Sequence, residues 1–270
     1  QSSPQFDPSL RAVMPIEFVH VPKTGTSFIN TLIHIPGVCP GLPADLVVDA
    51  IEAGPVVQYQ MTDALDMYHT CNTSALDVSP QRLGHGGIDN TSGGFDANKG
   101  NFMMFARQPE QRLLSEFYGG GCHFDNETLD VCINRNAGMA TKILARNESS
   151  TGLLDLDVPP TRAEVEEAKV RLQTGFSFIG LTEEWNLSIC LFNTMFNQKC
   201  QSLQFFNSRP TSESPSRSMS VYDVAELNGW TDPYDNELWD IAVKMFEEAL
   251  KKYNVSESSC EPCWSDAGVL

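Results

Sequence analysis

Ile16 to Val21 is a short apolar run rich in β-branched residues, broken only by Glu17 and His20, and it reads as a buried strand ending at Pro22. Phe28, Ile29, Leu32 and Ile33 then recur at the spacing of one helix face, so Ser27 to Ile35 reads as a helix stopped by Pro36 and Gly37. The same succession returns at Asn101 to Arg107, where Phe102, Met103, Met104 and Phe105 form an apolar strand. A helix opens after it at Pro109, carries Leu113, Leu114 and Phe117 on one side, and ends at Gly119, Gly120 and Gly121. A third strand is expected at Phe176 to Leu181, with Thr182 as cap of a helix running through Trp185, Ile189, Leu191 and Phe192.

Mostly helices are expected between Cys122 and Thr174. The clearest is Thr161 to Gln173, where Thr161 caps and Glu164 completes a capping box. Asp235 to Tyr253 reads as an amphipathic final helix. The segment from Cys39 to Ser79 is mixed, with helix expected around Pro43 to Glu52 and Thr62 to Tyr68. Gln81 to Ile88 holds a short strand pattern, and Asp89 to Gly100 and Ser208 to Ser220 have loop composition. Strands followed by helices imply an α/β fold: three layers, with a mainly parallel sheet flanked by helices. We expect one domain over residues 15–254, between an N-terminal tail at 1–14 and a C-terminal tail at 255–270.

Composition adds a compartment. Eight cysteines form an even set, several at spacings that local disulfides could close, and six Asn-x-Ser/Thr sequons begin at Asn72, Asn90, Asn126, Asn147, Asn186 and Asn254. Both features suit an oxidising, secretory environment, so a Golgi-luminal or secreted domain is expected. No apolar run is long enough to span a membrane, and any anchor is expected outside this chain. The formal net charge of −17 disfavours nucleic acid and extended polyanionic partners.

The chemistry concentrates at strand ends, where open α/β sheets bind ligands. Between the first strand and its helix lies Pro22-Lys23-Thr24-Gly25-Thr26-Ser27. Gly25 lets the backbone approach an anion, and the N–H groups of Thr26, Ser27 and Phe28 are expected to face it. The hydroxyls of Thr24, Thr26 and Ser27 add donors, and Lys23 adds charge. The lysine precedes the glycine and no Walker A pattern is present, which disfavours nucleotide hydrolysis. Arg107 ends the second strand and Ser115 lies two turns into the next helix, a second anion-binding pair. Two such sites on neighbouring strand ends imply a ligand with two separated phosphate-type groups.

These residues resemble the sulfotransferases that use 3′-phosphoadenosine 5′-phosphosulfate (PAPS), in the branch of Golgi carbohydrate enzymes such as the heparan uronyl 2-O-sulfotransferase. The resemblance rests on His20 to Ser27, on Arg107-x-Pro109-x-x-Arg112-x-x-Ser115-x-x-Tyr118, and on Phe178 to Glu183, with an echo in Glu237-Leu238-Trp239, Ala242 and Phe246. It implies a P-loop-nucleotide-binding-like sulfotransferase fold. Lys23 to Ser27 would hold the 5′-phosphosulfate, and Arg107 and Ser115 the 3′-phosphate. Thr26 stands where many members have a second glycine, and Gln108 where they have aspartate.

His85, in Leu83-Gly84-His85-Gly86-Gly87, resembles the family's catalytic base, and a histidine titrating near pH 6.5 retains a neutral fraction able to take the acceptor's proton. Its competing reading is a turn residue with a structural hydrogen bond. Arg209, Arg217 and Ser218 are candidates for closing over the nucleotide, as a late loop does in the family. His20 reads as structural, and Cys260-x-x-Cys263 as structural disulfide chemistry rather than redox catalysis. The expected reaction is in-line transfer of a sulfuryl group to a hydroxyl of a glycan acceptor, leaving the bisphosphate PAP and requiring no metal. The alternatives are an inactive nucleotide- or glycan-binding module of the same fold, and an ATP-dependent kinase.

Overall fold

The computed structural model describes residues 17–35, 87–90, 93–119, 121–146, 157–207 and 221–270. His85, Arg209, Arg217, Ser218, the helices expected at Pro43 to Glu52 and Thr62 to Tyr68, and all but the last two residues of the strand expected at Gln81 to Ile88 lie outside the described residues; Ile88 itself opens a 3-10 turn, Ile88–Asn90.

Three parallel strands form one sheet in the order β1 (Glu17–Phe18), β2 (Phe102–Ala106), β3 (Phe176–Leu181). β1 has a narrower extent than its apolar run, although Val19 N–H still donates to Met103 O at 2.8 Å. The run turns away at Val21 because Pro22 offers no donor and Lys23 adopts a left-handed φ of 65°. A 3-10 turn at Thr26–Phe28 leads into α1 (Ile29–Ile33), and α2 (Gly94–Ala97) stands inside the stretch expected to be loop. After β2 come α3 (Pro109–Gly119), α4 (Gly121–Phe124), α5 (Leu129–Asn136), α6 (Met139–Ala145) and α7 (Arg162–Gly175). β3 is followed by α8 (Trp185–Phe196), α9 (Asp235–Tyr253) and α10 (Glu257–Asp266).

Alternation along β2 separates two packing layers. The Phe105 ring faces Phe28, Phe178 and Trp185, with Phe192 of α8 completing an aromatic cluster. Met104 and Ala106 instead share a cavity with Ala140 and Leu144 of α6, Leu172 of α7, and Leu238 and Ala242 of α9. Helices therefore cover both faces of the sheet. At Gly180, paired with Phe105 across β2 and β3, a Cβ would sit 2.7 Å from the Phe105 ring, so the ring packs directly over the glycine.

Local signals explain several helix ends. Thr161 accepts from Glu164 N–H while Glu164 accepts from Thr161 N–H, the expected capping box. Gln108 accepts from Gln111 N–H at 2.8 Å and so caps α3, with Pro109 at the first helical position. Thr182 is not the cap of α8: the helix starts at Trp185 behind Glu184, which makes no side-chain cap bond.

The C-terminal stretch expected as a tail is bound to the domain. α10 is held to α8 by Cys190–Cys260 and to the residues just after it by Cys200–Cys263, and Trp264 Nε1 donates to Asn186 O at 3.2 Å. A third disulfide, Cys122–Cys132, is local. None of the described cysteines is free. No described helix is long and apolar enough to cross a membrane.

Candidate functional site at the carboxyl ends of the strands

All three strands run the same way, so their carboxyl ends lie side by side and deliver Lys23, Arg107 and Thr182 to one edge of the sheet. The three exits are bonded together. Arg107 Nη1 donates to Lys23 O at 3.2 Å. Thr182 Oγ1 lies 2.9 Å from Thr24 O and 3.0 Å from Ala106 O and shares its proton between them, while Thr182 N–H donates to Ala106 O at 2.8 Å. One turn further, Gln108 N–H donates to Glu183 Oε1 at 3.0 Å.

The loop after β1 is shaped from within as well. Thr24 is buried and its hydroxyl donates to Val21 O at 2.8 Å, so the proton expected to reach an anion is engaged in the turn. Phe28 N–H closes the 3-10 turn on Gly25 O at 3.0 Å, and its ring is fully buried in the aromatic cluster. Phe28 therefore supports the loop from below, with its N–H engaged in the turn. Gly25 is required twice over. Its φ is 107°, and a Cβ there would lie 2.6 Å from the Trp185 ring. Trp185 is fixed in turn by Nε1 donating to Gln204 O at 2.9 Å.

Lys23 Nζ donates to Gly119 O at 2.6 Å, at the carbonyl-rich end of α3, where a cation complements the helix dipole. The lysine thus ties the β1 loop to the far end of the helix that starts beside Arg107. Arg107 also stands over the Tyr222 ring, 5.7 Å from its centroid, and Tyr222 stacks on Tyr118 at 5.6 Å. Burial pulls the Arg107 pKa below its ordinary value, and Glu183 and Tyr222 pull it back up. Gln111 holds Tyr222 by two backbone bonds, accepting from its N–H at 2.8 Å and donating to its carbonyl at 2.9 Å.

Beneath the loop is a cavity of about 30 Å³, wide enough for water, lined by Thr24, Arg107, Arg112, Asp235 and Trp239 among apolar groups. Arg112 is 2% exposed. Its Nη2 donates to Asn136 O at 2.6 Å, and Nε and Nη1 have no partner among the described residues. Asp235 accepts from Ala140 N–H, Thr141 N–H and the Thr141 hydroxyl. Burial first, and then the Asp232 carboxylate, push the Asp235 carboxyl above the usual aspartate range. Burial lowers the amine of Lys142, also fully enclosed in this layer, to about 8.

Of the residues singled out in the sequence, Lys23, Thr24, Gly25 and Arg107 come together. Ser27 and Ser115 are both buried, Ser115 one turn beyond the arginine that enters the cavity. His20 is buried and stacked on Phe18 at 5.8 Å, as a structural histidine should be. Sequence reasoning missed Thr182 as a clamp, Trp185 beneath Gly25, Arg112 in the cavity and the Gln111–Tyr222 pair. Thr182 and Arg112 had a signal, since both belong to the motifs at the strand exits. No known protein family, curated protein or solved structure matches this chain.

Proposed function

We propose that the chain is a PAPS-dependent sulfotransferase that moves a sulfuryl group to a hydroxyl of a luminal acceptor, a glycan in the first instance. The observation that carries this reading is the contact between Arg107 and the Lys23 carbonyl. It joins two cationic loops at the ends of adjacent parallel strands, as a donor with two separated phosphate-type groups requires. Disulfides agree with a luminal or secreted setting.

In the proposed reaction the acceptor oxygen attacks sulfur, the bond from sulfur to the phosphate oxygen breaks, and PAP leaves. The Lys23 amine neutralises the departing oxygen, exchanging its bond to Gly119 O for one to the donor. Arg107 and Ser115 hold the 3′-phosphate, Thr26 and Ser27 the 5′-phosphosulfate. His85 takes the acceptor proton, and Arg217 with Ser218 covers the nucleotide.

Thermal unfolding with PAP, against ATP with magnesium, tests donor choice. Mass-detected transfer from PAPS to a panel of hydroxylated acceptors, with Lys23→Ala as control, tests catalysis. The proposal requires stabilisation by PAP and transfer that Lys23→Ala abolishes. PAP binding without transfer across the panel would identify a binding module, and stabilisation by ATP alone would identify a kinase.

A further inference from the structure

The described residues contain three complete Asn-x-Ser/Thr sequons, and in two of them the fold itself uses the hydroxyl of the third residue. In Asn186-Leu187-Ser188, Ser188 is fully buried, its hydroxyl accepting from Leu181 N–H at 2.9 Å and donating to Leu181 O at 3.1 Å. That hydroxyl pins the first turn of α8 to the end of β3. In Asn254-Val255-Ser256, Asn254 ends α9 in a left-handed conformation with φ of 54°, and Ser256 caps α10 by accepting from Ser259 N–H. In both, the serine hydroxyl has a backbone task.

Asn126-Glu127-Thr128 differs. Asn126 is exposed in a left-handed turn, φ 52°, which suits asparagine, but its carboxamide has no hydrogen-bond partner among the described residues. Thr128 occupies the N-cap position of α5, yet its side chain makes no cap bond and it is exposed. The turn is closed by other groups: Cys122–Cys132 spans it, Glu127 N–H donates to Cys122 O, and Arg135 Nη1 reaches Asp125 at 3.2 Å and Glu127 at 2.6 Å. An unbonded carboxamide and an unused hydroxyl two residues on are the pair that N-glycosylation reads.

We infer that Asn126 carries an N-linked glycan. The transfer consumes a lipid-linked oligosaccharide diphosphate. The anomeric carbon's bond to the diphosphate oxygen breaks, a bond to Asn126 Nδ2 forms, and the amide proton leaves with the lipid diphosphate. This site is independent of the proposed sulfotransferase activity.

The test is enzymatic deglycosylation in 18O water of the full chain secreted from eukaryotic cells, followed by peptide mass analysis. Asn126 is expected as 18O-labelled aspartate. Asn126→Gln and Thr128→Ala should each remove the same glycan mass, the second without altering the left-handed position. Thr128→Ala should leave the melting temperature of the deglycosylated protein unchanged, whereas Ser188→Ala lowers it. Recovery of unmodified Asn126 overturns the inference. So does a Thr128→Ala destabilisation matching that of Ser188→Ala, because Thr128 would then have a task in the fold.

Discussion

Replacing Thr182 with valine keeps the shape of the side chain and deletes a hydroxyl that joins the β1 loop to β2. Ala106 O keeps the Thr182 N–H, so the loss falls on Thr24 O, which is buried and 2.9 Å from the missing oxygen. A net hydrogen bond contributes about 1 kcal/mol, and a buried acceptor left unpaired costs up to about 3 kcal/mol. In a chain of this size that is a melting-temperature drop of roughly 2 to 5 °C. If the clamp holds the loop in its ligand-ready form, affinity for PAP falls by a comparable energy, about 5- to 150-fold by titration calorimetry. Thr182→Ser restores the hydroxyl and should recover most of both quantities. Thr182→Val with unchanged stability and unchanged PAP affinity refutes the clamp. A serine variant as impaired as the valine one traces the effect to the lost methyl group instead.

His85→Asn should leave PAP affinity near that of the parent protein while transfer falls by roughly two to four orders of magnitude, and undiminished turnover removes the histidine from the mechanism. Asp235 should titrate above the ordinary aspartate value when followed by carboxyl carbon resonance, because burial and Asp232 favour its protonated form. With its folded pKa raised, the native state holds that proton longer than the unfolded chain. Its contribution to stability is therefore greatest in acid, is lost as pH rises from about 4 through the raised value, and is level beyond it. A midpoint near 4 contradicts the burial account. Removing either Cys190–Cys260 or Cys200–Cys263 by paired serines should cost about 3 kcal/mol in denaturant unfolding, since the surviving bridge leaves only a loop of about a dozen residues to open. Removing both reopens the long loop and should cost about 7 kcal/mol, more than the two singles combined.

The sequence made the strand-to-helix rhythm legible because short-range periodicity carries it. Phe102 to Ala106, Phe176 to Leu181 and Asp235 to Tyr253 lie where their patterns put them, and Thr161 with Glu164 forms its box because both partners sit within one turn. What the pattern could not reveal depends on contacts between distant residues. Thr182 before a helix has the local signature of a cap, and only the register of β2 against β3 brings it beside Ala106 O and Thr24 O. Gln111 and Tyr222 meet across a separation of 111 residues. α10 looks like a polar tail because its attachment runs through cysteines whose partners lie 63 and 70 residues earlier. At the candidate site, Lys23, Gly25 and Arg107 were readable as chemistry, but the tasks of Thr24 and Phe28 inside the turn required the backbone geometry.

The pinning of α10 also bears on how the protein is made. Cys190 and Cys200 leave the ribosome 70 and 63 residues before the cysteines they finally join. At ordinary synthesis rates that leaves two reactive thiols waiting about 3 to 14 seconds, close enough in sequence to oxidise one another first. Any Cys190–Cys200 bond formed in that interval has to be exchanged by thiol–disulfide chemistry before α10 can be attached.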